Sequence, residues 1–242
     1  DTTWSRGLGD VYKRQVTLEN VRDFTWKNKK EHNSKWIKTK VDIDAIRDIW
    51  FVVDHFHKLK GLAHTMLTFE FEDGQFITFS FETRREVGER YHPWDGLWRA
   101  YELYLLVATE SDALHLRTNI RNHKVHLFRV QTPPGKDKAL FNALCDRLNN
   151  LGETPEWYHT LGKACTTSIV EQVNLITPGR IPRMWRTILP GYSAKAAWKL
   201  KLIEDWGGYD STISASRIDE RARNWDGNEE YSMYVRAHLP PK

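Results

Sequence analysis

A chain of 242 residues with a formal net charge of +4 and a pI near 8.9 is long enough for one domain with a sizeable core, or at most two small ones. With 40% hydrophobic and 28% charged residues it has the composition of an ordinary globular chain, and two cysteines without CxxC spacing exclude a disulfide scaffold and a zinc or redox pair of that type. The basic excess is mild and comes without a dense basic stripe or a reading motif, so nucleic acid is not an expected partner.

The first fifteen residues, DTTWSRGLGDVYKRQ, resemble read-through of a sequencing adapter and are set aside as a non-native leader. The genuine N-terminus is then expected upstream, so the lack of a visible signal peptide or span carries no weight. Val21 to Trp26 and Trp36 to Val41 read as short extended pieces, and Ile49 to Phe56 (IWFVVDHF) as a strand rich in β-branched and aromatic residues. In AHTMLTFEFEDGQFITFSFE the apolar residues alternate on both sides of Asp73-Gly74, which predicts a hairpin with strands near 63–71 and 76–83. Tyr101 to Ala108 reads as a buried strand, SDALHLR from Ser111 as a short helical piece, and Val125 to Val130 as a further strand. Lys138 to Leu151 places Leu140, Phe141, Leu144, Cys145 and Leu148 on one helical stripe. Thr166 to Ile176 is a second helix, with Ser168 and Glu171 as a capping box and Pro178-Gly179 as its stop. Ala194 to Ile203 is a third, and Leu239-Pro240-Pro241 reads as a frayed end. A meander of strands followed by helices predicts an α+β domain.

Cys165 follows the loop WYHTLGKA and stands at the start of a predicted helix. Unpaired N–H groups and the positive end of the helix dipole favour thiolate there, and the same N–H groups can hold an oxyanion. The bland alternative is a small buried hydrophobe, which is the reading for Cys145 on its apolar stripe. His64 opens a strand inside an apolar run and must find hydrogen-bond partners; it is either a satisfied core histidine or a base. A tight hairpin at Asp73-Gly74 places residues 64 and 65 opposite 82 and 83, within one position, so Glu82 is the expected neighbour of His64. Ser80 is a substitute on the same face, and an ion pair of Glu82 with Arg84 or Arg85 is the structural alternative.

The stretches NVRDFTW, GLAHTMLTFEFEDGQFITFSFETRREVGERY, YELYLLVATESDALHLRTNIR, ACTTSIV and PGRIPRMWRTILPGYS resemble the Lnb N-terminal periplasmic domain family, in order and spacing, from about Glu19 to His238. The resemblance implies a single domain over 16–242 with a papain-like fold: an antiparallel sheet with packed helices, in the circularly permuted NlpC-type order in which the His strand precedes the Cys helix. It implies Cys165 as nucleophile, His64 as base and Glu82 as the third member, each from the matching family segment. It also implies a protein of the bacterial envelope, in the periplasm, with membrane helices ahead of this domain; one branch is implicated in N-acylation of lipoproteins. The expected function is a cysteine-dependent acyltransferase or hydrolase working through a thioester. Its expected partner is a lipid, lipoprotein or peptide substrate at a membrane surface, and neither cofactor nor metal is expected. The chain departs from the family in carrying Ala164 where Asn usually precedes the Cys, and His159 where Asn usually follows the Tyr. His159, six residues before Cys165, is a candidate oxyanion donor.

Two rival readings accompany this one. His55, His57 and His64 with Asp54 lie within eleven residues, and a His-x-His pair on a strand suits a metal. A papain-like domain without activity would act as a lipid- or peptide-binding module, with Trp94, Trp98 and Trp185 lining a groove rather than packing a core. Lys27, Lys29 and Lys30 read as a solvated loop.

Overall fold

β-branched and aromatic residues crowd the first half of the chain, and there they form strands. The computed structural model describes residues 7–8, 14–59, 61–84, 101–158, 164–182 and 189–242. The strands are β1 (Gly7–Leu8), β2 (Gln15–Arg22), β3 (Thr25–Trp26), β4 (His32–Asn33), β5 (Trp36–Asp42), β6 (Ile46–His55), β7 (His64–Phe71), β8 (Phe76–Arg84), β9 (Glu102–Thr109), β10 (Lys124–Arg129) and β11 (Glu156–Trp157). The helices are α1 (Glu110–His115), α2 (Lys136–Glu153), α3 (Cys165–Ile176), α4 (Ser193–Lys199), α5 (Tyr209–Ala215), α6 (Asp219–Ala222) and α7 (Tyr231–Arg236). A π-helical turn, Leu116–Ile120, continues α1.

The class is α+β, with a mixed, mostly antiparallel sheet ordered β1-β2-β9-β8-β7-β6-β10; β5 pairs with β2 and β11 with β9. One parallel pairing, Arg22 with Ala108, joins β2 to β9. The strands β3 and β4 form a separate two-stranded ribbon. The β7–β8 hairpin turns at Asp73-Gly74 as expected. Gly74 holds a φ of 82°, and its N–H reaches the Phe71 carbonyl at 3.0 Å. A side chain at that φ is strained, which is the reason for glycine. The ladder runs from Glu70 opposite Phe76 to Leu67 opposite Phe79, and the same register carried onward sets His64 across from Glu82.

Both faces of the sheet are covered, so β6 and β7 are buried along most of their length, the polar residues Thr65, Thr68 and Glu70 included. On one face Phe69, Phe79, Phe81 and Leu105 pack against Phe141 and Leu144 of α2 and Ile169 of α3. The Phe141 ring meets Phe69, Phe71 and Phe79 edge-on at 5.1, 5.8 and 5.6 Å, a favoured aromatic geometry. On the other face Trp50, Val52, Met66 and Leu127 pack against Leu114 of α1, Ala222 of α6 and Val235 of α7.

Several local expectations are corrected. The extended piece Val21 to Trp26 is split between β2 and β3. The helix starting at Ser111 begins one residue earlier, at Glu110, where the Thr109 side chain caps it. Ser168 does not cap α3: the helix starts at Cys165, and Ser168 is buried in its second turn. Thr167 does that work, accepting the Ala164 N–H at 2.8 Å; Ala164 has no side-chain oxygen to return the bond. The third helix ends at Lys199 rather than Ile203, because Lys201 turns left-handed (φ 52°) and Ile203 bridges to Val130. The C-terminal end is tied down rather than frayed. Leu239 is buried, the Pro240 carbonyl accepts from Arg129, and Lys242 reaches Asp48 at 3.0 Å.

Candidate active site

The first residues of β7 meet the first turn of α3. Thr65 Oγ1 and Thr166 Oγ1 are hydrogen-bonded at 3.0 Å, which ties the start of the strand to the start of the helix. Cys165 is the first residue of α3 and is 5% exposed. In that position its own N–H and those of Thr166 and Thr167 have no partner within the helix and point toward the helix entrance. The Thr167 hydroxyl binds both the N–H and the carbonyl of Ala164, at 2.8 and 3.1 Å, and so fixes the turn that presents the thiol.

The structure brings Cys165, His64 and Glu82 together. The His64 imidazole and Thr65 lie close enough to the Cys165 thiol to govern its ionisation, and Thr166 Oγ1 stands 3.9 Å from the sulfur. His64 Nε2 lies 2.7 Å from Ser80 Oγ and 3.2 Å from Glu82 Oε1. Ser80 Oγ donates to the same Glu82 oxygen at 2.8 Å. It therefore accepts from His64 Nε2–H, and Nδ1 is the nitrogen left for the thiol. Ser80 and Glu82, weighed as alternatives in the sequence, both serve the imidazole: the hydroxyl is nearer and the carboxylate stands behind it. Arg84 instead pairs with Glu102 at 3.2 Å.

The electrostatics follow from this geometry. Burial opposes charge on His64, but Glu82 and then Cys165 outweigh it and raise its pKa to about 10. Burial also opposes the Glu82 carboxylate, yet His64, then Arg117 and Ser80, hold it ionised well below the usual carboxyl range. For Cys165 burial pushes upward, and His64 followed by Thr65 reverses the sign, pulling the thiol down to about 7. Near neutral pH His64 is held charged and the thiol sits close to its midpoint, so a thiolate facing an imidazolium at a helix N-terminus is readily reached. Cys145 has no such partner, and burial pushes it up to about 12.

The family model for the Lnb N-terminal periplasmic domain matches residues 32–191. The chain belongs to that family. The matched stretch of this Lnb-type domain holds His64, Glu82 and Cys165, and the family's periplasmic character places the domain in the periplasm. No curated protein and no solved structure is significantly similar to the chain. Among the described residues no helix is long and apolar enough to cross a membrane.

The residues of the metal reading are engaged with other partners. Asp54 is bound by His123 Nδ1 at 2.9 Å, His57 Nδ1 accepts the Leu59 N–H, and the His55 ring packs on that of His126. Among the described residues no three His, Cys, Asp or Glu side chains converge as a metal ion needs. His159, Trp94, Trp98, Trp185 and Arg85 lie outside the described residues. Sequence reasoning missed Thr65 and Arg117. Thr65 stands beside His64 in the AHT segment, and Arg117 is a charge closing the apolar piece ALHL; a cation at such a spot was the available signal.

Proposed function

We propose that the domain is a papain-like, circularly permuted thiol enzyme that captures an acyl group on Cys165 as a thioester and passes it to an amine or to water. The observation that carries the reading is the Cys165 thiol at the N-terminus of α3 beside the imidazole of His64, which is itself backed by Ser80 and Glu82. His64 takes the thiol proton, and the Cys165 sulfur attacks the carbonyl carbon of an ester or amide. The carbonyl oxygen becomes an oxyanion, which the N–H groups of Cys165 and Thr166 are placed to stabilise. The tetrahedral intermediate collapses; the C–O or C–N bond breaks and the leaving group departs with the proton from His64. The incoming amine or water then loses its proton to His64 as it attacks the thioester, and Cys165 leaves as thiolate.

An acyl substrate is supported by an apolar cavity of about 140 Å³ beside the site. Its walls include Thr166, Ile169, Val170 and Val173 of α3, Leu140 of α2 and Ala197 of α4. Two cations also line it: Lys136 Nζ donates to the Ile176 carbonyl at 2.6 Å and Arg180 Nη2 to the Leu200 carbonyl at 2.9 Å. Cys165 and His64 do not line the cavity; Thr166 is the residue common to it and to the site. The favoured donor is a lipid or lipoprotein ester met at the periplasmic face of a membrane, with anchoring by a segment ahead of the domain.

The test is intact-mass measurement after incubation with a phospholipid or long-chain thioester donor. The unaltered protein should gain one acyl mass that hydroxylamine releases. Cys165→Ala and His64→Ala should each abolish the gain, and the double variant should be no worse, because base and nucleophile act as a unit. A label that survives in Cys165→Ala places the chemistry elsewhere. No label from any lipid or peptide donor leaves the inactive binding module as the better reading.

A further inference from the structure

The Glu82 oxygen nearest His64 also meets Arg117. Arg117 is 5% exposed and sits in the π-helical turn Leu116–Ile120. Such turns are rare, since they widen the helix for poorer hydrogen-bond geometry, and they concentrate at functional sites. Arg117 Nη2 donates to Glu82 Oε1 at 3.0 Å, and Nη1 donates to the Ala113 carbonyl at 2.7 Å. Its Nε lies 3.1 Å from Asp54 Oδ2, close enough for ion pairing although the N–H is not aimed as a hydrogen bond. Asp54 faces His64 directly across the β6–β7 ladder and is gripped by His123 Nδ1 at 2.9 and 3.1 Å. The guanidinium is thus fixed by an α1 carbonyl and a β6 carboxylate before it touches Glu82.

Ser80 Oγ and Arg117 Nη2 both donate to the single oxygen Glu82 Oε1, and His64 Nε2 stands 3.2 Å from it as the second cation. A carboxylate bound by one cation can swing with it; one held between two cations and a hydroxyl has a single arrangement. We infer that Arg117 is a positioning residue that pins Glu82 beneath His64, and that Asp54 and His123 exist in the fold to hold Arg117 for that task. This rests on the proposed thiol chemistry. The charged groups in this cluster are His64, Cys165, Glu82, Arg117, Asp54 and, on the same turn as Arg117, Arg121. Loss of Arg117 acts on the thiol twice in the same sense. It removes a cation, and it frees Glu82 so that the imidazolium facing the thiolate is less well held.

The experiment is the pH profile of Cys165 alkylation by iodoacetamide in the whole chain, which reads thiolate directly and needs no acyl donor. Arg117→Met alone strands the buried Asp54 charge, so Arg117→Met is combined with Asp54→Asn; removing both partners keeps the interior neutral and cancels the direct charge effect. The alkylation midpoint should rise by about one pH unit in this double variant, by a similar amount in Glu82→Gln, and no further when all three changes are combined. Arg117→Lys keeps a cation against Asp54 but loses the planar fork, and serves if the double variant does not fold; its midpoint should also rise. A midpoint that stays at the parent value in a folded Arg117 variant overturns the inference, as does a shift that simply adds to that of Glu82→Gln. Failure of acyl capture with these shifts intact would sink the proposed function and leave the positioning role standing.

Discussion

At the scale of single residues, the two cysteines carry the clearest contrast. Both are buried, so exposure does not separate them. What separates them is the charge each meets: Cys165 faces an imidazolium and the N–H and hydroxyl of Thr65, while Cys145 meets burial and Asp146. At pH 8 a thiol near 7 is mostly thiolate, and one near 12 almost wholly protonated. Cys165 should therefore react with iodoacetamide at least on the order of a hundredfold faster than Cys145 in the folded protein. Peptide mapping of the alkylated chain reads this ratio, and equal protection of the two thiols would remove the basis for a nucleophile. The residues of this contrast were half legible in the sequence. A Cys after a loop and before a helix announces itself, and so does a His in an apolar strand. Ser80 was only a substitute, because spacing cannot say whether a hydroxyl or a carboxylate reaches an imidazole first.

At the scale of elements, the site depends on how α3 starts. Its first turn is held by Thr167, whose hydroxyl satisfies the Ala164 N–H, and by the Thr65–Thr166 bond to β7. Thr167→Val keeps the shape and removes the hydroxyl. It should cost about 1 kcal/mol of stability, as a lost cap does, read from the midpoint of urea unfolding at unchanged slope. An unchanged midpoint would mean that the Ala164 N–H finds another acceptor. Ser168 was the sequence-based choice for the cap because a Ser three residues before a Glu fits the usual pattern. The structure uses Thr167 instead, reaching back to the residue before the Cys, a reversal of direction that the one-dimensional pattern does not encode. The helices beyond Ile203 were not anticipated at all. α5, α6 and α7 span 7, 4 and 6 residues, too short for a helical period to declare itself, and tertiary packing rather than propensity forms them.

At the scale of the whole molecule, a sheet buried on both faces brings the last third of the chain over β10, and one consequence is a histidine kept neutral. His126 of β10 is buried against Ser216, its Nδ1 2.9 Å from that hydroxyl. Burial, then His55 and Lys124, depress its pKa to about 3. In the unfolded chain it titrates near its ordinary value, so as pH falls below about 6.5 the unfolded state takes the proton first and the fold loses stability. The loss from His126 should reach about 2 kcal/mol between pH 6.5 and 5. Over that window His64 contributes its full stabilisation and Glu82 has not begun to lose its own. His55 and His115, also depressed by burial, act in the same sense. His126→Gln keeps a partner for Ser216 and should flatten most of the slope of unfolding free energy against pH; an unaltered slope would place the acid sensitivity elsewhere.

The sequence by itself determined the α+β class, the β7–β8 hairpin with its register to within one position, the two longest helices and the family, because each is written in local periodicity, in one turn that demands glycine, or in ordered motifs. It also named Cys165, His64 and Glu82. Only the tertiary structure decided that the start of β7 meets the start of α3, although 101 positions separate His64 from Cys165, and that Ser80 stands between His64 and the carboxylate. It alone brought Asp54 against Arg117, 63 positions apart, and Arg117 against Glu82. Contacts between residues that distant depend on how the faces of the sheet are covered, and the packing that covers them is a property of the whole chain rather than of any segment.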